Sequence, residues 1–254
     1  MQSIANGAIF FDIFKLVLFV ACGYFAFAVY ARRTSAPWAL ALATRRMAVL
    51  TLLTLSVVAV KVFEDVISQE SGPVDEAILW FVRQTVPPAL SGVFTAVTWT
   101  GAAIFLVPAT VVVCGWLLAK RYPREAAFLA ASMVSGWALT YLIKTAVSRS
   151  RPELWSTTWY WGSSFPSGHT LSTAAFSTAL TLIAARIWPS SRRIVLPLAV
   201  MWIALMGLSR MVLGVHWPTD VLAAVCLGVF LPLVFQLFFF NVNLDWHHNR
   251  NTKI

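Results

Sequence analysis

Charge is what this chain has least of. Only 11% of its 254 residues are Asp, Glu, Lys or Arg, against 59% hydrophobic. A soluble globular domain carries about a quarter charged and nearer half apolar residues, so an ordinary soluble fold is excluded. Acidic residues are the scarcest: ten Asp and Glu against nineteen Lys and Arg, for a net charge of +9. A basic excess can signal nucleic acid, but no basic stripe with interleaved aromatics occurs, so nucleic acid is not an expected partner. In a chain this apolar the partner is the bilayer, and cytoplasmic loops rich in Lys and Arg account for the charge.

Cysteine is nearly absent too. Cys22, Cys114 and Cys226 fall in three separate apolar runs. An odd count with no CxxC spacing gives neither a disulfide framework nor a zinc site. The first apolar run lacks a basic flank before it and an A-x-A-like cleavage site after it, so it is expected to be a retained span rather than a signal peptide. Internal repeats, low-complexity tracts and linkers are also missing.

What is present is a series of apolar runs, each about the 20 residues that a ~30 Å hydrocarbon core requires. Seven emerge: Phe10–Tyr30, Met47–Val66, Val97–Leu118, Ala126–Val147, Gly168–Ile187, Ile194–Leu213 and Thr219–Phe240. The expected fold is an all-α, polytopic membrane bundle, with residues 1–46 as an N-terminal span and loop and 47–254 as the main membrane domain. Between the second and third runs, Val74, Ile78, Leu79, Phe81 and Val82 recur at helical spacing before Pro87-Pro88. That pattern predicts a short amphipathic helix at the membrane surface.

The charges orient the spans. Arg32, Arg33, Arg45, Arg46, Lys120, Arg121, Arg124, Arg186, Arg192 and Arg193, with Arg250 and Lys253 in the tail, fall on one side. The positive-inside rule makes that side cytoplasmic. The other side holds Glu64, Asp65, Glu70, Asp75 and Glu76, but also Lys144, Arg149, Arg151 and Arg210. This basic cluster breaks the rule and needs its own cause.

Three stretches on the outer side supply one. "KTAVSRSRP" carries Lys144, Arg151 and Pro152; "FPSGH" carries Ser167, Gly168 and His169; "SRMVLGVHWPTD" carries Ser209, Arg210, His216 and Asp220. Lys144, Arg151 and Arg210 bring fixed positive charge, and the arginine fork matches phosphate oxygens. "PSG" entering a helix offers backbone N–H groups at a helix N-terminus, a ready anion site. His216 and Asp220 are four apart, so one helical turn would put carboxylate and imidazole on the same face. A carboxylate on one ring nitrogen fixes the tautomer and leaves the other free to attack, with His169 left to protonate a leaving oxygen. Singly, each stretch also has a plain reading: cations snorkelling at a span end, a turn, a structural hydrogen bond. In order, on one face and against the charge rule, they read as a metal-free phosphoryl-transfer site.

At these residues the chain resembles the type-2 phosphatidic acid phosphatase superfamily, whose pattern K-x6-R-P, P-S-G-H and S-R-x5-H-x3-D is matched throughout. The resemblance runs from about Asp75 to Phe240. It implies a helical-bundle phosphatase working through a phosphohistidine and needing no cofactor or metal. Lys144, Arg151, Arg210, Ser167 and Gly168 would hold phosphate, with His216 as nucleophile, His169 as general acid and Asp220 as orienter. Family members commonly have six spans, so the first span here is an addition. The expected substrate is a lipid phosphate or diphosphate: undecaprenyl diphosphate first, then phosphatidate, phosphatidylglycerol phosphate and lipid A phosphates. It would be met at the outer face of a bacterial inner membrane. The same residues could pass the phosphoryl group to another lipid instead of water. A non-catalytic lipid-binding or transport protein would not need both histidines and Asp220.

Other residues invite plainer readings. His247 and His248, on a polar tail, are expected to be solvated rather than metal ligands. Lys61 and Asp65 are expected to pair along a helix. Arg149 stands open between a substrate contact and lipid head groups. Trp155, Trp159, Tyr160 and Trp161 stand open between an interfacial belt and a wall around substrate.

Overall fold

The computed structural model describes residues 2–34, 36, 39, 43, 45–155 and 162–240, with side chains from residue 12 onward. Proline and charge mark where its helices begin and end. Pro123 opens a helix at its first position, with Glu125 in the first turn and Lys144 in the last. Each suits its place: Pro has no N–H to leave unpaired at a helix start, and each charge opposes the nearer end of the helix dipole. Ser148, at φ 48°, turns the chain out of that helix in the left-handed region.

Nine α-helices result among the described residues: α1 Gln2–Arg33, α2 Arg46–Ile67, α3 Gly72–Thr85, α4 Ser91–Thr100, α5 Ala103–Ala119, α6 Pro123–Val147, α7 Gly168–Ile187, α8 Arg192–Val212 and α9 Pro218–Phe240. Six are long and apolar enough to cross a membrane, and α4 and α5, which meet at a 44° bend, would make a seventh if taken together as one span. The sequence had drawn this third span as one run starting at Val97. The break falls inside that run, at Gly101–Ala102, where Trp202 of α8 donates from Nε1 to Thr100 Oγ1 at 2.9 Å. Outward-facing Val, Leu, Ile and Phe side chains, such as Phe19, Val60, Val112 and Leu142, give the bundle a lipid-facing surface. The chain is an integral membrane protein.

At the centre stands α7. Its buried face is built from Ser172, Thr173, Ala174, Ala175, Ser177, Ala179 and Thr181. Small side chains let membrane helices approach closely, where van der Waals packing supplies the attraction that hydrophobicity cannot. The limit is reached at Gly228 of α9: a Cβ there would lie 2.6 Å from the Leu171 carbonyl oxygen of α7. Around α7 pack α6, α8 and α9, while α2 packs on α9 and α1 on α2. The extra first span is thus a peripheral one, consistent with its absence from the pattern-bearing region.

The amphipathic helix exists as α3, but its inner face differs from the expected one. Asp75, Leu79 and Val82 are buried, while Val74, Ile78 and Phe81 are exposed. Asp75, one of an acidic stretch in the sequence, has no exposed surface at all. The expected Lys61–Asp65 pair is present at 2.6 Å, with Glu64 at 3.4 Å from the same Nζ. His247, His248, Arg250, Lys253, Trp159, Tyr160 and Trp161 lie outside the described residues.

Candidate active site

All three stretches meet at one end of the bundle, held there by hydrogen bonds between them. Ser164 N–H donates to the Arg149 carbonyl at 2.8 Å, Arg149 N–H to Ser163 Oγ at 2.9 Å, and Ser164 Oγ to the Ser150 carbonyl at 2.9 Å. These bonds lace the chain after α6 to the chain before α7. Ser167 N–H then donates to the Asp220 carbonyl at 3.2 Å, fixing the start of α7 against the start of α9. Arg151 Nη1 donates to the Val215 carbonyl at 2.8 Å, closing the set. Gly214 bends the chain into His216 with φ +65°, a left-handed conformation that glycine adopts without strain.

The histidine–aspartate pair is present. His216 Nδ1 lies 3.3 Å from Asp220 Oδ2, and both side chains are buried. The same Oδ2 accepts the Trp217 backbone N–H at 2.9 Å. Asp220 is the third residue of α9, so its carboxylate reaches back to a donor at the helix entrance as in a capping box. This bond fixes the carboxylate before it meets the imidazole. The other ring nitrogen, Nε2, faces Arg151 Nη1 at 3.4 Å. Burial, together with the charges of Arg210, Arg151 and Lys144, holds His216 well below the ordinary histidine value. Near neutral pH it is therefore a free base whose Nε2 lone pair is available.

The cations are themselves held by hydrogen bonds. Lys144 Nζ donates to the Ser163 carbonyl, and Arg151 Nε to the Gly162 carbonyl at 3.3 Å. Arg210 is 1% exposed and donates from Nη1 to Thr98 Oγ1 at 3.3 Å, while Thr98 and Ser209 share a 2.8 Å hydroxyl contact. Ser167 sits at the N-cap of α7, its hydroxyl 3.0 Å from that of Thr170, with Gly168 the first residue of the helix. His169 follows and lines a cavity of about 380 Å³ with Thr95, Thr98, Trp99, Ala102, Leu213 and Val215. Its charged neighbours are Arg210, His216, Arg151 and Lys144. A larger cavity, about 800 Å³, opens beyond Arg149 and Trp217 and contains neither histidine.

Residues 125–243 match the model of the PAP2 superfamily. That region contains all three stretches and the helices that place them. Residues 125–243 belong to the PAP2 superfamily. It is 29% identical over 160 residues to phosphatidylglycerophosphatase B of Bacillus subtilis, an alignment covering 62% of this chain and 79% of that one. It is 30% identical over 118 residues to lipid A 1-phosphatase of Rhizobium etli, covering 42% of this chain and 47% of that relative's length. With decaprenylphosphoryl-5-phosphoribose phosphatase of Mycobacterium tuberculosis it shares 33% over 126 residues, 45% of this chain and 66% of the relative. The fold matches the crystal structure of a transmembrane PAP2-type phosphatidylglycerolphosphate phosphatase from Bacillus subtilis, with a TM-score of 0.71 at 24% identity. That match covers 77% of this chain and 98% of the other. The PAP2 chain is thus an enzyme of a phosphatase superfamily.

Two residues of this PAP2 chain stand differently from expectation. Arg149 does not reach out toward substrate or head groups. Nη1 donates to Asp220 Oδ1 at 2.7 Å and to Thr219 Oγ1 at 2.8 Å; Nη2 donates to Asp75 Oδ2 at 2.7 Å and to Ser71 Oγ at 3.1 Å. Two buried carboxylates turn the fork inward. Trp155 packs against Gly214 and at 5.6 Å from Trp80, with the Arg83 guanidinium 5.4 Å from its ring. It therefore braces the turn leading into His216 from outside. Sequence reasoning missed Asp75, Thr98, Ser163 and Thr219. For Asp75 a signal existed: it lies in helical phase with Leu79 and Val82, a charge on the face that turns inward.

Proposed function

We propose that this protein removes phosphate from a membrane lipid at the outer face of the membrane through a phosphohistidine on His216. The observation that carries the reading is the environment of His216: Nδ1 against a buried carboxylate at 3.3 Å, Nε2 facing Arg151 Nη1 at 3.4 Å, and the charges of Arg210 and Lys144 also acting on the ring. In the proposed step, Nε2 forms a bond to phosphorus while the bond from phosphorus to the lipid oxygen breaks. His169 gives its proton to that oxygen, and the lipid alcohol leaves. Water then attacks the phosphohistidine; neutral His169 takes its proton, and inorganic phosphate departs.

Lys144, Arg151, Arg210 and the N–H groups at the start of α7, around Ser167 and Gly168, hold the equatorial oxygens. They act where charge is stabilised in a phosphoryl transfer. The substrate class we favour is a glycerolipid phosphate. The Bacillus relative, covered over 79% of its length, is a phosphatidylglycerophosphatase. Undecaprenyl diphosphate, phosphatidate and a lipid A phosphate complete the panel to be tested.

Detergent-purified protein should release inorganic phosphate from at least one of these four lipids. Activity should persist in excess EDTA and be blocked by vanadate, which adopts the five-coordinate geometry of the transferring phosphorus. Among the described residues no three His, Cys, Asp or Glu side chains converge as a metal site, and three basic side chains are present to neutralise the phosphate instead. Activity lost on chelation and restored by a divalent cation would sink the assignment, as would phosphate release from none of the four.

The orientation has its own test. In a version lacking Cys22, Cys114 and Cys226, a cysteine replacing Glu153 should react with a membrane-impermeant maleimide on intact cells. A cysteine replacing Arg192 should react only after lysis. The reverse pattern would place the site on the cytoplasmic face.

A further inference from the structure

Asp75 is a buried carboxylate with no part in the steps above. Its side chain has no exposed surface, although it belongs to a short helix at the rim of the bundle. Taking a carboxylate out of water costs several kcal/mol unless partners replace the lost hydration. Asp75 has three such contacts. Oδ1 accepts the Thr219 backbone N–H at 2.9 Å, one of the donors left unpaired at the start of α9. Oδ2 accepts the Thr219 hydroxyl at 2.6 Å and Arg149 Nη2 at 2.7 Å. The backbone of Asp75 is held as well, its N–H donating to the Ser71 carbonyl at 2.9 Å.

Through Arg149 this carboxylate reaches the reacting histidine. Arg149 Nη1 donates to Asp220 Oδ1 at 2.7 Å, and Asp220 Oδ2 faces His216 Nδ1 at 3.3 Å. Charges therefore alternate in a line from α3 to the site: Asp75, Arg149, Asp220, His216. An Arg149–Asp220 pair alone would be neutral. It would offer His216 little countercharge as the imidazole becomes positive on attacking phosphorus. With Asp75 added, the three groups carry a net charge of −1, and the arginine's field is divided between two carboxylates. Asp75 also pins Thr219, the residue immediately before Asp220, and so fixes where α9 presents the carboxylate.

We propose that Asp75 is a positioning residue for phosphoryl transfer, holding Arg149 and the first turn of α9 so that Asp220 keeps its alignment and negative charge toward His216. This rests on the reading of His216 as nucleophile.

The test compares Asp75→Asn with wild type in steady-state kinetics and in a rapid acid-free quench that counts phosphoenzyme. The variant keeps the size of the side chain and loses its charge. Its kcat should fall by about 10- to 100-fold, the loss typical when an outer partner that orients a reactive group is removed. KM should stay within about twofold, and phosphoenzyme should form slower by the same factor as kcat. Adding Asp75→Asn to Arg149→Gln should cost little more than Arg149→Gln alone, because the two act through one path. An unchanged kcat per folded molecule, a change confined to KM, or fully multiplicative losses in the double variant would overturn the proposal. Should Asp75→Asn not accumulate in membranes, Thr219→Val removes only the hydroxyl shared by Asp75 and Arg149. It should lower kcat several-fold in the same manner, and an unchanged kcat there overturns the proposal as well. Mapping the wild-type label separates the two claims. Label on a residue other than His216 defeats the catalytic reading, whereas label on His216 formed equally fast in Asp75→Asn defeats this inference alone.

Discussion

Replacing His216 with glutamine should abolish phosphate release and leave no covalent phosphoenzyme, while the protein still assembles in the membrane. Glutamine is close in size and polar, so the pocket between Asp220 and Arg151 stays filled, but it has no lone pair on nitrogen to offer phosphorus. Asp220→Asn should be the informative companion. Asp220 Oδ2 takes both the Trp217 N–H and the His216 Nδ1 side, and Oδ1 takes Arg149 Nη1, so an amide turned either way would set its NH2 against a donor. The imidazole is then misoriented or in the wrong tautomer. The corresponding change in a serine triad costs about 10⁴-fold, and a loss approaching that size is expected here. The pH dependence follows from the same surroundings. Burial and three cations hold His216 well below its ordinary value, so it remains an unprotonated nucleophile as pH falls past about 6.5. In wild type the acid limb of kcat/KM attributable to this residue should accordingly lie below that point. An active His216→Gln protein would require a different nucleophile.

The fold and the site were unequally legible in the sequence. Membrane spans announce themselves because a hydrocarbon core demands long apolar runs. The bend at Gly101 does not, since a break between two apolar helices leaves hydropathy undisturbed. Residues acting at the site carried sharp signals: a histidine after P-S-G, a histidine and aspartate four apart, and cations on the side where the charge rule disfavours them. Residues acting on those residues carried weak ones. Arg149 stood open between a substrate contact and lipid head groups; only the fold shows Asp75 and Asp220 closing on both its terminal nitrogens. Asp75 itself stood only as one member of an acidic stretch with Glu70 and Glu76. What separates it is the phase of α3, set by the packing of Leu79 and Val82, a tertiary fact that spacing alone left open between two faces.

His169→Gln should slow both halves of the reaction, and the identity of the leaving group should pull the halves apart. His169 lines the cavity beside His216 and Arg210 and follows the cap of α7. An unactivated lipid alkoxide is a poor leaving group, so its departure needs the proton that His169 supplies; without it, transfer to His216 becomes slow and little phosphoenzyme builds up. A p-nitrophenyl phosphate ester leaves without protonation, so its first step should be nearly intact in the variant. The second step still lacks the base that activates water. Phosphoenzyme should therefore accumulate on His216, acid-labile and base-stable, after one burst of about one p-nitrophenolate per site. General acid–base assistance is worth about 10²- to 10⁴-fold, which sets the size of the loss expected in steady-state turnover of the lipid. If both substrates were slowed equally and no burst appeared, His169 would be holding phosphate rather than moving protons. A burst with the label on Ser167 or Asp220 would instead move the nucleophile away from His216.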